Sequence, residues 1–539
     1  MRMTNKIMQN NSLYNINNNK VLQDKLSTQM STQKKLTRPS DDPVVAIRAL
    51  RLRSSVSEIT QYSTKNAEDA ESWLKVTADG LSTVNDILTD LSKNATKGAN
   101  KDLTADDLEI IITQMESLSE EFYSTGNLDY AGRYVFTGFR TDTPMSFTAS
   151  DVADTVNPIP SYSITEQINI SSFDSVNYTT IGKLNGITSS NYSDASHEDN
   201  EQSVTNNDIH RLRLAYDNVV SAASGVTIQL ATKAADGKVT LGAAVNVDAA
   251  ASKEAAYSAI IEANEADPKT EKAVYIPETG EILMSDALYN ANIGTQSNVD
   301  TNKYEFRVNY TKSAWSNGDL RPEHYFACTS TDKSVTPTKT VDYNKDYLAI
   351  GSDNKLYVDK EKQSIAYDVG YNQTIEINTT ADEVFEHSLA RDVDDLRSAL
   401  NDLKNIESIR STLDTALDGM DSTDAKYDQV KKEYDAADKA YTYIRENVHD
   451  LMQAAITKMQ NYLDEANVAV TDNGTRSSRL ELIANRLTEQ KTTFETLKSE
   501  NEDVDIAEVA VQLTSAQLTY EASLTATGKI MQTTLMNYI

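Results

Sequence analysis

Apolar positions recur along this chain with two different periods, and the period changes near each end. At the C-terminus Ile506, Val509, Leu513, Tyr520, Leu524, Met531 and Leu535 follow one another at gaps of 3, 4, 7, 4, 7 and 4 residues. Those gaps keep all seven on one face of a helix. No Pro interrupts the run, and Asp505 with Glu508 three places on forms an N-terminal cap pattern. A terminal helix with a full apolar stripe needs a partner, either an ordinary globular core or the other end of the chain.

The other end is a weaker helix. Leu22, Leu26 and Met30 share one face of residues 1 to 37, but Asn10 to Asn19 is rich in Asn, a poor helix former. Arg38-Pro39-Ser40-Asp41-Asp42-Pro43 then stops this helix and starts the next. The residue before a Pro is pushed out of helical geometry, Pro43 suits the first helical position, and Asp42 suits the N-cap. Val45, Ala49, Leu52, Val56 and Ile59 follow in 4-3-4-3 spacing, and the pattern resumes from Ala70 and Trp73 to Leu91. After a Lys-Gly-Ala-Asn turn, Thr104 and Asp107 cap a further helix carrying Leu108, Ile111, Met115, Leu118 and Phe122. The spacing predicts a helical hairpin of coiled-coil type. Gly132 to Phe139, aromatic and β-branched between glycines, predicts a strand turning into a β-hairpin.

From there the composition changes. Every Pro after Pro43 lies between Pro144 and Pro337, and Gly, Tyr, Thr and Asn become frequent. Val226 to Leu230, Lys303 to Tyr310, Lys355 to Val358 and Gln373 to Ile377 predict strands, and Ala249 to Ala266 an embedded helix. From Arg391 onward Pro is absent and Gly occurs only at 419, 474 and 528. Two helical stretches are expected there, about 391 to 466 and 477 to 498. The fold class is therefore α+β: long N- and C-terminal helices forming a coiled-coil-type rod, with strand-rich central domains inserted between them. The segments are 1–40, an N-terminal assembly helix; 41–144, a helical hairpin plus short β-hairpin; 145–385, the strand-rich insertion; 386–498, C-terminal helices; and 499–539, a C-terminal assembly helix.

Charge sharpens the pairing of the ends. The 539 residues carry 51 Lys and Arg against 81 Asp and Glu, a net charge of -30. Such a surface repels nucleic acid and anionic membranes over most of its area. Yet Met1 to Arg53 holds ten Lys or Arg against three Asp, while Glu500 to Ile539 holds six acids and one Lys. Screened charges add little stability, but they select which faces meet. The single cysteine, Cys328, excludes an intrachain disulfide. The first twenty residues lack the apolar core of a cleaved secretory signal, and no run of 18 apolar residues exists to span a membrane.

Chemistry is sparse. No pair among His197, His210, His324, His387 and His449 has zinc-ligand spacing, and His197-Glu198 is followed by Glu201 where a zinc-protease helix needs His. No Gly-rich phosphate loop or calcium loop is present, and Cys328 reads as a buried strand residue. Asp41-Asp42 and Asp394-Asp395 sit at helix starts, where capping accounts for them. No catalytic, cofactor or metal residue is assigned, and the expectation is a protein that is not an enzyme.

Arg38-Pro-Ser-Asp-Asp-Pro43, preceded by Leu26-Ser-Thr28 and Lys34-Lys-Leu-Thr37, resembles the start of the flagellin-like axial proteins of the bacterial flagellum. The Pro-bracketed form is more similar to the hook-filament junction proteins than to flagellin, which typically has Asp-Asp-Ala-Ala-Gly there. Gly132 to Gly138, Gly474-Thr-Arg476 with Arg479-Leu480, Asp505-Ile-Ala-Glu508, Gln512 to Gln517 and Leu535 to Tyr538 add to the resemblance, which covers roughly 1–148 and 385–539. The central insertion lies outside it. The resemblance implies an extracellular structural subunit, exported unfolded by the flagellar type III apparatus without a cleaved signal peptide. It implies self-association in a ring or helical assembly between hook and filament, with hook-associated protein 1 and flagellin as axial neighbours. A cytoplasmic export chaperone on the C-terminal helix is implied as well. The expected assembly interface is Leu22, Leu26 and Met30 with the seven C-terminal apolar residues, set by the helix-start block Pro39, Asp41, Asp42 and Pro43. Its two tips are expected to become ordered on assembly. Flagellin itself, or a surface-displayed binding module carried by the insertion, are the alternatives.

Overall fold

The structure is a computed structural model that describes residues 5–169, 173–219, 225–233, 239–292, 304–334, 337–344 and 363–536. Its long helices are α1 (Asn5–Thr32), α2 (Pro43–Gln61), α3 (Ala67–Gly98) and α4 (Ala105–Thr125), with a short α5 (Ala149–Ala153) after them. Further on come α6 (Lys253–Glu265), α7 (Asp286–Asn292), α8 (Pro322–Tyr325), α9 (Ser388–Asp418), α10 (Tyr427–Glu502) and α11 (Ile506–Met536). The described strands are β1 (Asp129–Tyr130), β2 (Arg133–Tyr134), β3 (Ser161–Asn169), β4 (Asp174–Thr180), β5 (Thr205–Arg213), β6 (Val226–Lys233), β7 (Val239–Leu241) and β8 (Val245–Ala249). They continue with β9 (Ala273–Ile276), β10 (Glu281–Met284), β11 (Tyr304–Lys312), β12 (Ala327–Asp332), β13 (Lys339–Tyr343), β14 (Ala366–Gly370) and β15 (Gln373–Glu376). The chain forms an α+β protein of two compact units. One gathers 1–72, 366–375 and 476–539; the other holds 73–365 and 376–475.

In the first unit α1 runs beside α11. Between α2 and α3 the helix widens into a π turn, Tyr62–Asn66. Asn66 donates from Nδ2 to the Asp368 carbonyl at 2.7 Å, and Tyr367 donates to the Asp69 carboxylate, so the β14 hairpin is tied to that turn.

The second unit is built around an antiparallel-dominated sheet of order β13-β12-β3-β11-β6-β8-β9-β10-β5-β4, with β7 added beside β6. Among the described residues only β8 and β9 pair in parallel. Helix α6 lays Ala256, Tyr257 and Ile260 onto Ile209, Val274, Ile276 and Leu283, closing an apolar core over one part of the sheet. Charge fixes another part. Arg211 of β5, 3% exposed, meets Glu281 at 2.6 Å, Asp395 at 2.8 Å and Asp174 at 2.9 Å. Beside it Arg213 meets Asp395 at 2.6 Å and also Asp392, which accepts from Lys458 Nζ at 2.9 Å and Tyr462 Oη at 2.7 Å. Burial opposes ionisation of Asp392 and Asp395, but Arg213, Lys458 and Tyr462 at the first and Arg211, Arg213 and Lys458 at the second together outweigh it and hold both carboxyls below the usual carboxylate range. The network joins β5 and β10 to α9 and α10.

Helix α4 lies along α9. Arg397 takes Glu116 at 2.5 Å through Nε, and Lys404 takes Glu109 at 2.6 Å. Phe122 packs on Phe385, and the Tyr123 hydroxyl donates to the Glu386 carbonyl at 2.7 Å. The heptad spacing suggested a mate in the preceding helix; the ion pairs of α4 go to α9. The Thr104–Asp107 box caps α4 as its sequence indicates.

Two local expectations change. The C-terminal helices divide at 419–426, where Gly419 caps α9 and Asp421 takes the Thr423 N–H at 3.1 Å, and not near 466–477. Gly474 sits inside α10 with no atom near enough to meet a Cβ. An interior Gly costs a helix about 1 kcal/mol, which 76 residues of helix absorb. The strand expected over 132–139 is a two-residue ladder: Ala131 and Gly132, at φ 53 and 77, make the tight turn, and Val135, Phe136 and Thr137 are buried beyond it. Lys355 to Val358 lies outside the described residues; the expectations at 226–230, 303–310, 373–377 and 249–266 correspond to β6, β11, β15 and α6.

His324 offers a pH test of the second unit. Its Nε2 lies 3.1 Å from the Pro144 carbonyl, and burial, with Arg140 and Arg321 also opposing protonation, pushes it down to about 4. Folded His324 thus binds its proton later on acidification than the unfolded residue, whose value is 6.5. Its contribution is complete above 6.5 and is lost as pH falls towards 4. Thermal midpoints of the native chain are expected to drop more than those of His324→Gln across that window; parallel curves would refute it.

Candidate assembly interface

All residues of this site belong to the first unit. Leu26 of α1 and Val509 and Ala516 of α11 are buried together at 4%, 6% and 7% exposure, with Val504 and Leu513 packed against them. Farther along the same antiparallel pair, Asn19 Nδ2 donates to Ser523 Oγ at 3.2 Å. Of the ten apolar residues expected at the interface, Leu26, Val509 and Leu513 are in this seam. Tyr520 is half-buried. Leu22, Met30, Ile506 and Leu524 are exposed. The side chains of Met531 and Leu535 lie outside the described residues.

The seam is narrow because α1 contributes few large apolar side chains. Val504 and Ala516 belong to it and were missed by the periodic reading, which passed over a small residue and one preceding the helix.

At one end of the seam the two chain ends are clamped. Gln33, with φ 60, ends α1 and turns the chain so that Lys34 bridges Asp503. The Lys35 N–H donates to the Glu502 carbonyl at 2.7 Å, and the Val504 N–H to the Gln33 carbonyl at 3.2 Å. Arg53 of α2 grips Glu502 with two hydrogen bonds of 2.6 Å, and Lys34 approaches it at 3.6 Å while also pairing with Asp503. The hydrogen-bonded Arg53 guanidinium holds the Glu502 carboxyl below its ordinary value, and Asp503 holds the Lys34 ammonium above its own. A bidentate Arg–carboxylate pair has directional specificity that a Lys contact lacks. The individual residues were not singled out from sequence, though opposite charge at the two ends was the signal for them.

The helix-start block stands next to this clamp. Asp42, in extended geometry, accepts from the N–H groups of Val44 at 3.0 Å and Val45 at 3.2 Å, with Pro43 at the first helical position. Asp41 accepts from the Arg38 N–H at 3.1 Å, closing the turn that contains Pro39. A small cavity of about 160 Å³ lies between this block and Arg53, with Leu36, Val45 and Ala49 among its walls.

Elsewhere, Cys328 is buried in β12 and burial pushes its thiol up, away from reactivity. Among the described residues no group of three or more His, Cys, Asp or Glu is placed to hold a metal ion, and no helix is long and apolar enough to cross a membrane.

Residues 3–141 match the family model of the bacterial flagellin N-terminal helical region. This segment is similar to the flagellin N-terminal helical region. The chain is also similar to flagellar hook-associated protein 3 of Salmonella typhimurium, at 28% identity over 143 residues, covering 26% of this chain and 45% of that protein. The protein of the same name in Escherichia coli is 28% identical over 144 residues, with the same two coverages. The chain thus matches a little under half the length of these curated relatives. Among solved structures, FlgL of Xanthomonas campestris aligns with 83% of this chain and 99% of its own at 11% identity and a TM-score of 0.31. The flagellin-type segment contains α1, α2, α3, α4 and the first β-hairpin, and so the Lys34 and Arg53 halves of the clamp.

Proposed function

We propose that this chain is a structural subunit of the bacterial flagellum, placed at the junction between hook and filament and assembled through its terminal helices. The observation that carries the reading is that a flagellin-type N-terminal helix is paired, in the same chain, with the C-terminal helix through the Leu26–Val509–Ala516 seam and the Arg53–Glu502 clamp. The similarity to two hook-associated proteins supports the junction over the filament shaft. The role proposed is that of a structural subunit, in line with the similarity to the two hook-associated proteins.

On this reading its neighbours are further copies of itself, hook-associated protein 1 on one side and flagellin on the other, with an export chaperone covering α11 before secretion. Export proceeds without a cleaved signal peptide, and the protein resides outside the cell. Immunogold labelling of isolated flagella tests the assignment. A single band where hook meets filament is expected; label along the whole shaft would make the chain a flagellin, and no label on the organelle would overturn the reading.

A further inference from the structure

Helix α2 contains no buried residue. Its Val45, Ala49, Leu52 and Val56 face is half-buried, but Val44, Ile47 and Leu50, on another side, are 68%, 53% and 62% exposed. Arg48 and Arg51 are interleaved with them, and among the described residues neither forms an ion pair. A bare apolar strip carrying two unpaired guanidiniums suits an acidic amphipathic helix.

Helix α11 has such a second face. Val509, Leu513 and Ala516 point towards α1, whereas Ala507, Val511, Thr514, Leu518 and Ala522 share the opposite side at helical spacing. Val511 and Leu518 are 70% and 63% exposed. Glu508 and Glu521 flank this strip on its two sides. A helix with apolar stripes front and back pairs twice.

We propose that the Val44–Ile47–Leu50 strip of α2 binds the Val511–Leu518 strip of α11 from a second copy of this chain, with Arg48 and Arg51 facing Glu508 and Glu521. The inference rests on the reading of the chain as a self-assembling subunit and names the surfaces used. Because the strips differ, the contact is head-to-tail: each copy keeps one free donor and one free acceptor face, so association propagates into a ring or helix and not a closed dimer.

Reversing the charges tests it. Full-length Arg48→Glu/Arg51→Glu and Glu508→Lys/Glu521→Lys are each compared with the native chain by sedimentation velocity over a concentration series, with circular dichroism to verify folding. Each variant alone is expected to associate at least about tenfold more weakly than the native chain, since like charges then oppose each other across the contact. Mixed one to one, they are expected to regain association, because the acidic α2 of one meets the basic α11 of the other. Native-like association by either variant alone overturns the pairing. So does a folded mixture that fails to regain it, which would assign the basic strip to a different partner. A native chain that stays monomeric at every concentration would instead remove the self-assembly reading itself.

Discussion

Arg211→Ala is expected to destabilise the sheet-bearing unit by about 3–5 kcal/mol, the cost of removing one partner from a buried charge cluster. The loss comes less from the missing attraction than from what remains. Glu281 is 5% exposed, and it, Asp174 and Asp395 all lose a cation at 2.6–2.9 Å while still out of full contact with water. Urea denaturation followed by tryptophan fluorescence reads this unit alone, because both tryptophans, Trp73 and Trp315, lie in it. Arg211→Met combined with Glu281→Met is expected to recover part of the loss, since two of the charges then leave together. A loss under about 1 kcal/mol for Arg211→Ala would mean that the neighbouring cavity of about 370 Å³ hydrates the network, contrary to this account.

On the proposed function, Leu26→Asp is expected to abolish incorporation into the flagellum while leaving the tryptophan-reported transition unmoved. Leu26 is buried with Val509 and Ala516, and its replacement forfeits about 1.5–3 kcal/mol of apolar burial and adds a carboxylate to the seam. So thin a seam opens readily, and amides of α1 and α11 in the free protein are expected to exchange well before those of α3, α4 and α9. Immunoblots of sheared flagella and a urea titration settle the two halves of the prediction. Normal incorporation would show that assembly does not depend on the seam.

Helix α3 was legible because its periodic stripe became a buried face. Trp73, Leu81, Val84, Leu88 and Leu91 of α3 are all nearly inaccessible, and the Thr104–Asp107 and Asp42–Pro43 starts follow from capping chemistry alone. The terminal stripe told less: seven residues on one helical face predict where a partner can sit, not how much one chain supplies, and Ile506 and Leu524 are left exposed. Charge asymmetry pointed to the clamp but could not choose Glu502 over Glu500. The central sheet's order was beyond reach, since β4 pairs with β5 and β11 with both β3 and β6 across long separations that no local pattern encodes. Asp395 reads as a helix cap in sequence and nothing there marks Arg211; only the crossing of β5 with α9 makes them a buried set.

The clamp and the seam tie α1 and α2 to residues made several hundred positions later. At about 5–20 residues per second, a ribosome needs roughly half a minute to two minutes to deliver α11 after α1 has emerged. Throughout that interval the leading helix has no mate within its own molecule. Helix α1 is therefore loose until α11 has been made, which is the condition in which a polypeptide can still be fed through a narrow passage.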